Sequence, residues 1–132
     1  MDLQVHQNCF MCGRKNSSSL GLSFNKTVHG GVSASYNACE AHQGYDGILH
    51  GGMIASLLDS AMTHCLFRHG IEAVTAELNV RYLQPVPCGS SVMLHAKLVH
   101  ERPPFYRLKA ELSVENKISA RSEAKFIANS KQ

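Results

Sequence analysis

Only one stretch of this chain carries the three-and-four spacing of an apolar helical face. Ile54, Leu57, Leu58, Ala61, Met62 and Cys65 recur at that spacing, which gathers them on one side of a helix. Gly51-Gly52 opens the segment, and Gly70 follows it where a left-handed cap belongs. The spacing predicts a helix over about 52–69, roughly five turns. After Gly70 the period changes to two. Val74, Ala76, Leu78, Val80 and Tyr82 share one parity, as do Val92, Leu94, Ala96 and Leu98. Tyr106, Leu108, Ala110, Leu112 and Val114 form a third run, and Ile118, Ala120, Ser122, Ala124 and Phe126 a fourth. Such alternation marks half-buried antiparallel strands. Pro85-Val86-Pro87-Cys88-Gly89, Arg102-Pro103-Pro104 and Glu115-Asn116-Lys117 separate the runs with turn chemistry. Upstream, 20–38 accommodates two shorter strands around Gly30-Gly31. Residues 39–49 read as a loop, and 1–19 as an irregular arm.

Two strands, one long helix and four more strands pack economically if the sheet curls around the helix and buries its stripe. The expected class is α+β, a curved antiparallel β-sheet wrapped around one long central helix. A hydrophobic content of 44% over 132 residues supplies one core, so a single domain over 1–132 is expected. Thirteen basic against ten acidic residues give a net charge of +3. That is too mild and too dispersed for nucleic acid, and it suits an anionic small ligand held by a few local cations. No apolar run approaches the roughly 18–20 residues that span a bilayer. Met1-Asp2-Leu3-Gln4 lacks the basic, apolar start of a signal peptide. The expectation is a soluble cytoplasmic protein without a membrane partner, its five cysteines held as thiols.

The segment from Gly47 to Asp59 has two features that plain structure does not ask for. Paired glycines weaken a helix start unless backbone groups must approach something closely. The first N–H groups of a helix lack internal partners and carry partial positive charge, which suits a developing oxyanion. A hinge or tight packing against a strand would use the same glycines. Asp59 stands inside the helix between Leu58 and Ser60, where Asp is a poor helix former. It reads either as a solvated residue of the polar side or as a carboxylate turned to chemistry.

The stretch His50-Gly51-Gly52, with Asp59 nine positions after His50, resembles the signature of the PaaI-like hotdog-fold acyl-CoA thioesterases. Thr75 follows Asp59 by sixteen. Asn79, Tyr82 and Pro85 match the family's N-x-x-Y-x-x-P strand, and Cys9-Phe10-Met11-Cys12-Gly13 with Asn16 and Gly21-Leu22 resembles an opening found in a subset of its members. The resemblance covers about 9–128 and implies a hotdog fold and hydrolysis of an acyl-coenzyme A thioester. It implies Asp59 as general base or nucleophile, and the Gly51 N–H as donor to the thioester carbonyl. His50 would support that loop, Thr75 would hold the attacking water or Asp59, and Gly52 would meet the substrate. A polar residue often stands six positions before the family's His; here that position is Gly44, with Gln43 beside it. Hotdog dimers and tetramers usually share each site between protomers, which implies a homodimer or homotetramer. A thioester is already activated, so a positioned carboxylate and one oxyanion donor suffice, and no cofactor is expected.

Other signals have plainer readings. Cys9-x-x-Cys12 with His6 nearby hints at a metal, but four ligands are needed and no second pair is visible. No metal is therefore expected, although folding could bring Cys39 close. Arg102 and Arg107, flanking the Pro103-Pro104 turn, are the better candidates among the cations for coenzyme A phosphates. His64 reads as a packed or interfacial helix residue. Two rival functions use the same fold: an acyl-CoA-binding module without activity, and a hotdog hydratase or dehydratase, whose usual motifs are missing.

Overall fold

The fold of residues 4–128 is seen in a computed structural model. Six strands form one sheet: β1 (Asn25–Lys26), β2 (Val32–Asn37), β3 (Ala73–Tyr82), β4 (Ser91–Arg102), β5 (Phe105–Val114) and β6 (Lys117–Ala128). Their order is β1-β2-β4-β5-β6-β3, and every neighbouring pair is antiparallel. One α-helix, α1 (Gly51–Arg68), packs on the inner face of this sheet. This is the α+β hotdog arrangement, with the helix one residue earlier at each end than its spacing predicts. No helix among the described residues is long and apolar enough to cross a membrane.

The sheet makes room for the helix with small side chains. Across its middle runs the row Val32–Ala96–Ala110–Ser122–Val80, in register over five strands. Larger residues flank the row and close around α1. Leu57, Leu58, Met62, Leu94, Leu112 and Phe126 have no exposed surface, and each such side chain contributes roughly 1.5–3 kcal/mol on burial. The helix ends where Gly70 takes φ +74°. His69 and Ile71 N–H donate to the Leu66 carbonyl, and Gly70 N–H to that of Phe67, which satisfies the last turn. Arg68 ties this end to the β1–β2 connection by donating to the Thr27 and Gly31 carbonyls.

Strand β3 departs from its even alternation. Thr75 pairs with Phe126 and Glu77 with Lys125, so Ala76 is an extra residue, a β-bulge. Below the bulge the parity reverses. Val74 and Ala76, expected on the core face, are exposed, Val74 to 67%. Thr75 joins Leu78, Val80 and Tyr82 on the helix side, since directly paired residues share a face and Phe126 is buried. The arm is less irregular than its composition suggests. Leu20 and Leu22 N–H donate to the Phe10 and Met11 carbonyls, and Met11 and Leu22 are both buried in the core.

This packing makes Leu57→Ala costly, by about 2–5 kcal/mol, because neighbours cannot collapse into the space. Met93→Ala, on the outer face at 39% exposure, should stay within about 0.5 kcal/mol. Urea unfolding curves of the two variants check the contrast.

Candidate active site

The start of α1 is organised by His50. Its backbone is extended (φ −60°, ψ 134°) and its Nδ1 accepts the Gly52 N–H at 2.8 Å, an N-cap made by an imidazole. Its carbonyl takes the Met53 and Ile54 N–H groups at 2.9 and 3.1 Å. Of the first four amides of the helix, only that of Gly51 has no partner among the described residues. Gly52, expected to meet substrate, has its N–H held by the cap. Gly52 has a different duty: a Cβ there would stand 3.1 Å from Cε1 and Nδ1 of His50. Gly44, where a polar helper was sought, does the same on the other side, 3.3 Å from Cδ2 of His50. The two glycines leave the space that the ring occupies.

The loop before the helix is fixed from several directions. His50 N–H donates to the His42 carbonyl at 2.9 Å, and Leu49 N–H to Val86 at 2.8 Å. Gln43 is occupied as well, its Oε1 accepting the Gly47 N–H at 2.9 Å. Tyr36 and His42 hold the base of the loop, hydroxyl to Nδ1 at 2.7 Å. Burial raises the Tyr36 hydroxyl above its ordinary pKa, so it stays protonated at neutral pH. A residue without an assigned role in the sequence reading proves central here. Tyr82, at the end of β3, donates its hydroxyl to the Gly51 carbonyl at 2.8 Å. That bond orients the Gly51 peptide group on its carbonyl side, next to the free N–H.

Asp59 is half-buried, two turns into α1. Thr75 Oγ1 donates to Asp59 Oδ1 at 2.6 Å. The bulge at Ala76 makes this contact possible, because it turns Thr75 from the outer face to the helix face. The hydroxyl fixes one carboxylate oxygen and leaves Oδ2 without a partner among the described residues.

The chain brings its site residues together in two groups. His50, Gly51, Gly52 and Tyr82 form one, and Asp59 with Thr75 the other. Eight residues separate Gly51 from Asp59 on one straight helix, about 12 Å of axial rise and about 80° of rotation. One chain therefore does not bring the free amide and the carboxylate to one carbonyl. Arg102 and Arg107 lie elsewhere again, beside a shallow cleft of about 200 Å³ with His100, Phe105 and Lys125. Arg107 is exposed and its neighbour Tyr106 is buried, so this cleft belongs to the outer face of the sheet, opposite Thr75.

Residues 46–103 match the Thioesterase superfamily. The chain is 33% identical over 87 residues to the acyl-coenzyme A thioesterase THEM4 of Rattus norvegicus, covering 64% of this chain and 37% of the relative. It thus spans well under half the length of that relative. The Escherichia coli PaaI protein of the phenylacetic acid degradation operon superposes with a TM-score of 0.77 at 20% identity, over 82% of this chain and 83% of that one. A hypothetical thioesterase of Streptococcus pneumoniae with coenzyme A superposes equally, TM-score 0.77 at 16% identity, over 82% and 88%. At such identities these two likenesses are of fold. Residues 46–103 are thus similar to the Thioesterase superfamily, and the sheet wrapped on one helix is the hotdog fold seen in the PaaI proteins.

Proposed function

We propose that the protein hydrolyses an acyl-coenzyme A thioester to the free acid and coenzyme A, in sites shared between the protomers of a homodimer or homotetramer. The observation that carries the proposal is the Thr75–Asp59 contact at 2.6 Å. An apolar helix spends none of its stability on a half-buried carboxylate held by a strand hydroxyl unless that carboxylate is wanted. The Gly51 amide, free and oriented on its carbonyl side by Tyr82, supplies the second group. The relative named acyl-coenzyme A thioesterase and the coenzyme A held by the S. pneumoniae neighbour support the choice of substrate. That neighbour has also been solved as single alanine variants of an Asp and of a Thr sixteen residues further on, the separation of Asp59 and Thr75.

In this reading the Gly51 N–H of one protomer donates to the thioester carbonyl oxygen. The electron pair displaced by attack collects on that oxygen, where a preorganised donor is worth roughly 10²–10³ in rate. Asp59 of the other protomer presents Oδ2, either taking a proton from the water that attacks the carbonyl, or attacking the carbonyl itself to give, once the thiolate has left, a mixed anhydride that water cleaves to the acid and free Asp59. The tetrahedral centre then collapses and the coenzyme A thiolate leaves. His50, Gly52 and Tyr82 act through Gly51, as positioning residues. The cations at Arg102 and Arg107 would meet the phosphates of coenzyme A, from the outer face of the sheet. Pairing of protomers has a place to occur: β3 is an edge strand, exposed along most of its length, and an open edge invites a second copy.

Four variants and a panel of acyl-coenzyme A esters test the proposal, with thiol release as the readout for all but Gly52→Ala. Asp59→Ala should lower kcat by about 100-fold or more while the ester still binds. Equal turnover in the variant would reject the assignment, and binding without any turnover in the wild type would favour a non-catalytic acyl-coenzyme A module. Gly51→Pro removes the donor N–H at a position where proline suits a helix, and His50 already has the extended backbone that a following proline needs. It should fold and lose about 10²–10³ in kcat. Gly52→Ala should push the His50 ring off the cap, costing about 0.5–2 kcal/mol in urea unfolding. Arg107→Ala should raise KM with little change in kcat, the pattern of a group that binds ground and transition states alike.

A further inference from the structure

The arm gathers chemistry that hydrolysis leaves unused. His6, Cys9 and Cys12 bring one ring nitrogen and two sulfurs within 4.8 Å of one another. His6 Nδ1 and Cys12 Sγ are 3.4 Å apart. In tetrahedral zinc, with bonds of about 2.0 Å to nitrogen and 2.3 Å to sulfur, two such ligands stand about 3.5 Å apart. The loop is shaped to keep them there. Met11 N–H donates to Cys9 Sγ at 3.3 Å, Cys9 N–H to the His6 carbonyl at 3.0 Å, and Gly13 N–H to the Cys9 carbonyl at 2.8 Å. Gly13 has no room for a side chain: a Cβ would fall 2.4 Å from the Cys9 nitrogen and from the Gln7 oxygen.

A second observation comes from α1 and is independent of the loop. His64 is only 7% exposed, and its Nε2 is buried without a hydrogen-bond partner among the described residues. An unsatisfied buried nitrogen is costly, so its place asks for a reason. The His64 ring stacks on Phe24 at 4.3 Å between centroids and meets the His6 ring edge-on at 6.1 Å. His64 and Cys12 line one cavity of about 400 Å³. His64 and the Cys12 end of the cluster thus border one space, with His64 outside the 4.8 Å grouping of the three arm ligands.

The geometry points to a zinc site in which His6, Cys9 and Cys12 of the arm are completed by His64 of α1. Two thiolates with two imidazoles are a closed tetrahedral set, the kind that holds structural zinc. The ion would fasten the arm to the helix. This departs from the expectation of no metal, which rested on the want of a second cysteine pair. The fourth ligand is a histidine of the helix, far along the chain. Cys39 does not join the cluster; its carbonyl is approached by Cys88 Sγ at 3.9 Å instead.

The test uses the full reduced chain, loaded with zinc, dialysed, and measured for metal by elemental analysis. The expected result is about one zinc per chain, retained by Cys39→Ser and lost from Cys12→Ser and from His64→Gln. Cobalt titrated into the wild type should give the intense visible bands of tetrahedral, thiolate-bound cobalt, a reading that stands even if a variant fails to fold. Wild type without zinc and without those bands would overturn the site, as would a Cys9–Cys12 disulfide in the protein as purified. Full zinc in His64→Gln would overturn the part given to His64.

Discussion

A six-stranded antiparallel sheet has one inner face, and one helix fills it. Every position that matters for chemistry is set by that packing. The small row through Ala96, Ala110 and Ser122 lets α1 lie close to the sheet, and the fully buried leucines around it fix the helix along its axis. With α1 held, its first turn must meet the end of β3, where Tyr82 reaches Gly51. Its third turn must meet the start of β3, where Thr75 reaches Asp59. A single edge strand thus supports both halves of the proposed site, one at each end.

The same packing keeps the halves apart. An α-helix advances about 1.5 Å per residue, and no side-chain choice shortens the path from Gly51 to Asp59. A free amide that suits an oxyanion and a carboxylate that suits water meet only if a second chain brings its own copy of one to the other. The exposed edge of β3 carries Asp59's partner Thr75 and Gly51's partner Tyr82. Two such edges laid antiparallel would oppose the amide end of one chain to the carboxylate end of its neighbour.

Much of this was legible in the chain itself. The change of period after Gly70 shows one helix and four strands, because burial on one side writes its period into the sequence. The C-terminal end of the helix is marked by glycine for a different reason, the left-handed backbone at Gly70. What stayed hidden are departures from regularity. A bulge has no hydrophobic signature, so the even run from Val74 to Tyr82 conceals the reversal at Ala76 that presents Thr75 to Asp59. A histidine cap is also hard to read, since Ser, Thr, Asp and Asn are the usual caps. The function of Gly44 becomes visible only when the His50 ring is seen against it. Tyr82 belongs to the core parity by spacing, yet it is 51% exposed, and its hydroxyl acts on a peptide thirty-one residues earlier. Nor does Cys9-x-x-Cys12 announce that His64 shares a cavity with Cys12, because that proximity is made by the fold.

The claim on which all this turns is that amide and carboxylate act together across two chains, and mixing two inactive proteins tests it directly. Asp59→Ala keeps its Gly51 amide, and Gly51→Pro keeps its carboxylate, so a mixed dimer holds one complete site and one lacking both groups. Unfolded together in equal amounts and refolded, the pair should regain about a quarter of wild-type thiol release, since half of the dimers are mixed and each has one working site. Activity no greater than the sum of the two variants refolded alone would contradict the shared site.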